Sequence, residues 1–293
     1  MRRPPAVIAS LALAFAAVAA PTPASTEAPI FELHRTSDAI HLEKDKGSPI
    51  FVLVIGSDIR DGNPDRGRAD SIHIVAVNPK KRKGTIVGIP RDTYVPVPGR
   101  GRTKINASLF FGGPKAVVRT VKDFTRLPIH YYAVVEFSGF RKLVHRLGPL
   151  NVDVPYDIQD RFSGANFRKG KQKMLGDSAL AFARVRYGVP GGDFGRSSNH
   201  GRILLAALEK FRTDAKDPFA LIRYFDLFEA IVHSDVGVGD LLRLASIAKS
   251  LDPKNVRNVV LPGRSSSAGG SSVVLLAPGW GEMIRKIRDD AVL

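Results

Sequence analysis

A chain of 293 residues is long enough for one large domain or two small ones, and it can bury a substantial core. Its 44% hydrophobic and 25% charged residues exclude wholesale disorder, and the lack of cysteine excludes a disulfide framework, a thiolate metal site and a cysteine nucleophile. Lys plus Arg outnumber Asp plus Glu by 44 to 28, a formal charge of +16, which favours an anionic partner: nucleic acid, an anionic membrane surface or a polyanionic substrate.

The first residues speak to compartment. Arg2 and Arg3 form a basic start, Ala6 to Ala20 is apolar and small, and Ala17-Val18-Ala19 offers a small-x-small cleavage site. The apolar run of about 15 residues falls short of the roughly 20 that span a bilayer. Residues 1–24 therefore read as a signal peptide or short membrane anchor, which makes the protein exported and speaks against nucleic acid as its partner. Residues 25–48, with Pro29 and the charged stretch Glu43-Lys44-Asp45-Lys46, read as a linker. A single folded domain is expected over 49–290.

Within it, Ile50 to Ile55 is a continuous apolar run ending in Gly56-Ser57-Asp58, the pattern of a buried central strand that delivers its C-terminal end to a site. Ile72–Val77 and Thr85–Ile89 are further strands, joined by an exposed turn over 78–84. Helical spacing follows Gly112-Gly113-Pro114. Tyr131–Phe137 is strand-like, and the next helix stops at Gly148. After a short strand at Leu150–Val154, the polar, basic stretch Asp160–Lys173 reads as a mobile loop over or beside the site. Helices are expected at Asp177–Ala183, Arg202–Phe211, Pro218–Val232 and Leu241–Leu251, with a last strand at Val256–Leu261 and a Ser/Gly loop over Gly263–Ser272. The alternation predicts an α/β fold, an α-β-α sandwich with a mixed central sheet covered by helices on both faces.

Charged residues recur at the ends of these runs. Asp58 and Asp70 flank adjacent strands, where a hard cation would relieve their repulsion; from spacing alone, a turn role for Asp58 and a cap or loop role for Asp70 stay open. Arg91 ends an apolar strand after Pro90, with Asp92 placed to orient its guanidinium. Arg184 and Arg186 share a face only if the chain there is extended. Arg196 falls near a helix N-terminus, a place that favours anions. Lys104 adds a cation. Arginine suits bidentate capture of phosphate oxygens, so the set reads as a site for a phosphate ester with a divalent metal. His73, His130, His145 and His233 show no ligand spacing and read as ordinary core or surface histidines. No Gly-x-Ser-x-Gly elbow, Walker loop or dinucleotide fingerprint is present.

Six motifs in order carry a family resemblance: Gly56-Ser57-Asp58-x-Arg60, Arg68-Ala69-Asp70-Ser71, Ile89-Pro90-Arg91-Asp92, Lys104-Ile105-Asn106-Ala107, Arg184-Val185-Arg186 and Gly192-Asp193-Phe194-Gly195-Arg196. From about Phe51 to Phe211 the chain resembles the LytR-CpsA-Psr family of bacterial cell-envelope proteins. The resemblance implies a phosphotransferase that uses Mg2+ to move an anionic glycopolymer from a polyprenyl-pyrophosphate carrier to peptidoglycan at the outer face of the membrane. It implies Asp58 and Asp70 as metal ligands. Arg60, Arg68, Arg91, Lys104, Arg184, Arg186 and Arg196 would contact the pyrophosphate, and an apolar tunnel between sheet and helices would take the prenyl tail. Activation of the acceptor hydroxyl falls to the metal, to Asp92 or to no side chain. The alternatives are a polyprenyl-pyrophosphate hydrolase and a non-catalytic prenyl-phosphate-binding protein. One departure stands out: Arg196 continues as Ser197-Ser198-Asn199-His200-Gly201, which puts His200 where the family pattern has a Gln near the pyrophosphate.

Overall fold

The computed structural model describes residues 31–42, 47–58, 67–187, 189–217, 219–220, 224 and 232–293. The chain opens with strands β1 (Phe31–Arg35), β2 (Ile50–Ser57), β3 (Ala69–Asn78), β4 (Lys83–Gly88), β5 (Tyr94–Val97) and β6 (Gly101–Lys104), then helix α1 (Ala107–Thr125). Next come β7 (Tyr131–Glu136), α2 (Phe137–Leu147), β8 (Leu150–Val154), β9 (Ile158–Asp160), β10 (Ala165–Phe167), β11 (Gly170–Met174), α3 (Gly176–Arg184) and α4 (Asp193–Asp214). The last part holds β12 (Val232–Ser234), α5 (Val238–Ser250), β13 (Val256–Val260), β14 (Gly263–Ala268), β15 (Ser271–Leu276) and α6 (Trp280–Asp290).

Seven strands form one mixed sheet in the order β12-β1-β7-β2-β3-β4-β13. The predicted apolar run is its centre: β2 lies parallel to β7 and antiparallel to β3. Alternation sorts its side chains onto two faces. Phe51, Leu53 and Ile55, with Ile72 and Ile74 opposite them, pack against Val117, Val118 and Val121 of α1 and Ile284 and Ile287 of α6. Ile50 and Val52 meet Ile247 and Leu244 of α5, while Val75, Val77 and Ile86 meet Leu204, Leu205 and Leu208 of α4. Helices thus cover both faces, as the alternation predicts.

Several boundaries differ from the sequence reading. The stretch read as linker contributes β1, an inner strand between β12 and β7, and Tyr131 Oη donates to the Ile40 carbonyl at 2.9 Å. Its apolar content is low because its five residues are all only half-buried. The Asp160–Lys173 stretch is built into two ribbons, β9–β10 and β8–β11, whose inward residues Ile158, Ala165 and Met174 join a second core with Phe182 and Ile203. Polar residues alternate with these few apolar ones, so the stretch looks loop-like in one dimension. Gly263–Ser272 likewise pairs as the hairpin β14–β15. Helix α1 begins before Gly112-Gly113 and kinks there, with Gly113 at φ +65. The signal or anchor, Arg60 and most of the helix expected at 218–232 lie outside the described residues; Val232 itself is in a strand.

Candidate active site

One end of the sheet gathers the candidate side chains. There β2 and β7 finish, β3 starts and β4 runs out into Ile89-Pro90-Arg91. Asp58, just past β2, accepts from the Arg68 amide through Oδ1 at 2.6 Å while its own amide donates to the Arg68 carbonyl at 3.1 Å. That fixes Asp58 beside Arg68, the residue before β3 begins with Ala69-Asp70. Helix α4 approaches the same end because Gly88 lacks a side chain: a Cβ there would stand 2.2 Å from Ser197 Oγ and 3.0 Å from His73 Nε2.

Arg91 is the hub. Its Nη1 donates to Asp70 Oδ1 at 2.6 Å, and its Nε lies 3.8 Å from Asp193 Oδ1 and 4.0 Å from Asp92 Oδ2. Asp70, not Asp92, is therefore the group that orients this guanidinium. Asp92 has a nearer partner in Lys104, at 3.3 Å, since β6 ends alongside it. The Arg91 Nε is buried and has no hydrogen-bond partner among the described residues. Burial works against the Arg91 charge, yet the attraction and hydrogen bond of Asp70, with Asp92 and Asp193, outweigh it and raise its pKa. Arg196, itself buried, donates to Asp193; burial lowers its pKa, as does repulsion from Arg91 and Arg186, with Asp193 and Asp70 opposing. Both guanidinium groups stay charged at any physiological pH.

A cavity of about 160 Å³ opens beside this network, lined by Asp70, Arg91, Arg184, Arg186, Arg196 and His200, with Phe137, Asp160, Phe162, Ser163, Ala183 and Tyr187 completing its wall. Arg184 is the last residue of α3, and Val185 leaves the helix at ψ 122, so Arg184 and Arg186 reach one cavity although the first of them is helical. Among the described residues Arg68 and Lys104 stand outside this lining.

His200 sits at the junction with a second, almost wholly apolar cleft of about 80 Å³ between Val54, Gly56, Ser71 and Val135 of the sheet and Phe137, Phe140, Leu180, Ile203 and Leu204 of α2, α3 and α4. Its Nε2 donates to the Ala183 carbonyl at 2.7 Å, tying α4 to the end of α3. Burial, then His73 and Arg196, push its pKa well below the ordinary histidine value. Beneath it His73 is buried and belongs to the floor of the site: its Nε2 donates to the Ser197 carbonyl at 2.9 Å, so Nδ1 is the acceptor of the Ser71 hydroxyl at 3.1 Å. Burial lowers its pKa to about 4, partly countered by the Ser197 bond.

The sequence reading missed four residues. Asp193 was visible inside its motif but only Arg196 was assigned. Asp160 and Phe162 carry no local signal, because folding of the β9–β10 ribbon brings them to the cavity, and Tyr187 follows the Arg184-Val185-Arg186 motif without belonging to it.

A model of the LytR_cpsA_psr family matches residues 20–286. The chain belongs to the LytR-CpsA-Psr family. Among curated relatives it is 38% identical, over 191 residues, to the polyisoprenyl-teichoic acid–peptidoglycan teichoic acid transferase TagU of Bacillus mycoides strain KBAB4, which covers 60% of this chain and 62% of that one. The chain spans about three-fifths of the length of such relatives. Among solved structures, B. subtilis TagV shares 28% identity at a TM-score of 0.70, covering 83% of this chain and 97% of its own. TagT with bound octaprenyl pyrophosphate lipid shares 21% identity at a TM-score of 0.66, over 88% and 96%, a likeness of fold.

Proposed function

We propose that this LytR-CpsA-Psr protein is a phosphotransferase that moves an anionic glycopolymer from a polyprenyl-pyrophosphate carrier to a hydroxyl of peptidoglycan. The observation that carries this reading is the junction of two cavities: four guanidinium groups line one, hydrocarbon lines the next, and Phe137, Ala183 and His200 belong to both. A prenyl pyrophosphate has that polarity along its length. Relatives named as teichoic acid transferases support the choice of glycopolymer and acceptor.

In this reading Arg91, Arg184, Arg186 and Arg196 hold the pyrophosphate and neutralise charge that spreads over its oxygens as the acceptor oxygen bonds to phosphorus and the prenyl phosphate departs. The tail is expected in the cleft beneath α2, α3 and α4, since α5 is spent on packing Leu42, Ile50 and Tyr131. Asp58 and Asp70 suit Mg2+, which takes one or two protein carboxylates and completes its shell with phosphate oxygens and water. Among the described residues Oδ1 of each carboxylate takes the hydrogen bond given above, and in this reading Oδ2 would face the cation. When bound, Mg2+ would screen the phosphate charge. Residues 1–24 would export the protein to the outer face of the cytoplasmic membrane or the cell wall, consistent with the charge of +16 and an anionic membrane surface.

The test supplies prenyl-pyrophosphate-linked glycopolymer with and without peptidoglycan glycan, in Mg2+ and in chelator. Polymer attached to glycan, lost in chelator, is expected. Phosphate release that ignores the acceptor would instead identify a hydrolase, and binding without turnover a carrier protein. Fusion of residues 1–48 to a reporter active only outside the cytoplasm tests export.

A further inference from the structure

A donor of this kind is linear: tail, pyrophosphate, then sugar. The apolar cleft enters the arginine cavity at Phe137, Ala183 and His200, and the wall outside the arginine cluster holds Asp160, Phe162, Ser163 and Tyr187, two of them exposed aromatics, which is where the sugar would lie. Phe162 and Tyr187 are 66% and 56% exposed, and their rings pair at 5.1 Å between centroids with planes inclined by 51°. Arg161 lies over the Phe162 ring at 5.0 Å and Arg186 over the Tyr187 ring at 5.9 Å.

The two rings come from different elements, the β9–β10 turn and the segment after α3. A single carboxylate joins them. Asp160 is 3% exposed; its Oδ1 accepts from the Phe162 amide at 2.9 Å, and its Oδ2 from the Arg186 and Tyr187 amides at 3.2 and 3.4 Å. Burial opposes its charge, but these backbone donors prevail and its pKa is lowered. Burying a charge is costly unless something gains by it. Here it sets two aromatic rings and a phosphate-facing arginine in one frame.

We propose that Phe162 and Tyr187 form a stacking platform for the pyranose ring that the donor's pyrophosphate carries, with Asp160 as the positioning residue. The proposal rests on the reading of the cavity as a prenyl-pyrophosphate site. A pyranose face presents weakly positive C–H groups, which suit the negative face of an aromatic ring, and its hydroxyls would meet Arg161 and Ser163 at the rim. A sugar bonded directly to phosphate lies within reach of Arg186, which already stacks on Tyr187.

The experiment measures, in Mg2+, the affinity of the full chain for two probes: prenyl pyrophosphate alone and the same lipid bearing one hexopyranose. Phe162→Ala and Tyr187→Leu should each weaken the sugar-bearing probe by roughly fivefold to tenfold, with the sugar-free probe held within about twofold. Tyr187→Phe, which keeps the ring, should bind both as wild type does. Asp160→Asn should lower the affinity ratio of the two probes, a quantity that general destabilisation leaves unchanged. Equal loss on both probes, or no loss on either, overturns the platform. So does ring-dependent binding to anionic vesicles with an unchanged probe ratio, which would make the pair a membrane contact. A sugar-free probe that wild type and Arg91→Ala bind equally would instead sink the phosphate-site reading itself.

Discussion

Arg91 touches or approaches Asp70, Asp92 and Asp193, and its pKa rises despite burial because these carboxylates surround it. Such a group is fixed in place before the proposed pyrophosphate would bind, and preorganisation of this kind is where catalytic electrostatics draws its strength. Charge-assisted bonds in a half-buried site are worth about 1.5–3 kcal/mol, against about 0–1 for an exposed ion contact. Arg91→Ala should therefore lower turnover by roughly tenfold to a hundredfold. Arg91→Lys should stay well below wild type, since an ammonium cannot reproduce the planar fork. Lys81→Ala, which removes only the exposed contact to Asp290, should leave turnover near wild type at moderate salt. Equal losses across all three in a steady-state assay would reduce the cluster to generic basicity. His73 gives a second prediction at this scale. Its folded pKa of about 4 lies below the unfolded value near 6.5, so the unfolded chain binds the extra proton in between. The stability tied to neutral His73 is present above about pH 6.5 and lost as pH falls toward 4, by about 3 kcal/mol. Denaturant midpoints measured across that range should decline, and more steeply for wild type than for His73→Gln.

At the scale of elements, the site depends on how closely α4 lies on the sheet and how α3 ends. Gly88 admits Ser197, and His200 bonds the Ala183 carbonyl. Gly88→Ala should push α4 outward and lower both melting temperature and phosphate affinity; a variant with wild-type affinity would show that this close approach is not needed. The apolar cleft between β2, β7, α2, α3 and α4 makes a separate claim. A saturating long-chain prenyl phosphate should raise the melting temperature of wild type and have little effect on Leu180→Trp, whose indole fills the cleft. Indifference of wild type to the lipid would count against a tail site here. Sequence placed β2, β3, β4, β7, β8 and β13 because apolar runs of four to eight residues flanked by turns are a local signal. It read β10, β11 and the β14–β15 hairpin as loops, because these strands are short or bury one face with few apolar residues.

Across the whole molecule, the sheet is closed at its edges by segments far apart in sequence. Strand β1 pairs with β12, near residue 233, and α6 returns to cover the face opposite α4 and α5. Ile287 is fully buried there, and Asn78 Nδ2 donates to the Asp290 carbonyl at 3.1 Å. Ile287→Ala should cost about 2–5 kcal/mol in denaturant unfolding, a loss that a peripheral tail would not show.

The sequence by itself determined the α/β class, the central strand, the arginines of the cavity and the family, because strand ends, helix stops and motif order are written locally. Sequence also held Asp58 and Asp70 as candidates, yet it could not say that Asp70 would be the partner of Arg91 or that Asp92 would turn to Lys104. Those pairings, like the meeting of Arg184 with Arg196, the neutral His73–His200 floor and the Asp160 frame, join residues from about 10 to more than 100 positions apart. Strand pairing, the β5–β6 ribbon and the packing of α3 and α4 on the sheet set such distances, and burial weighed against the partners found there decides which charges persist and which imidazoles stay neutral.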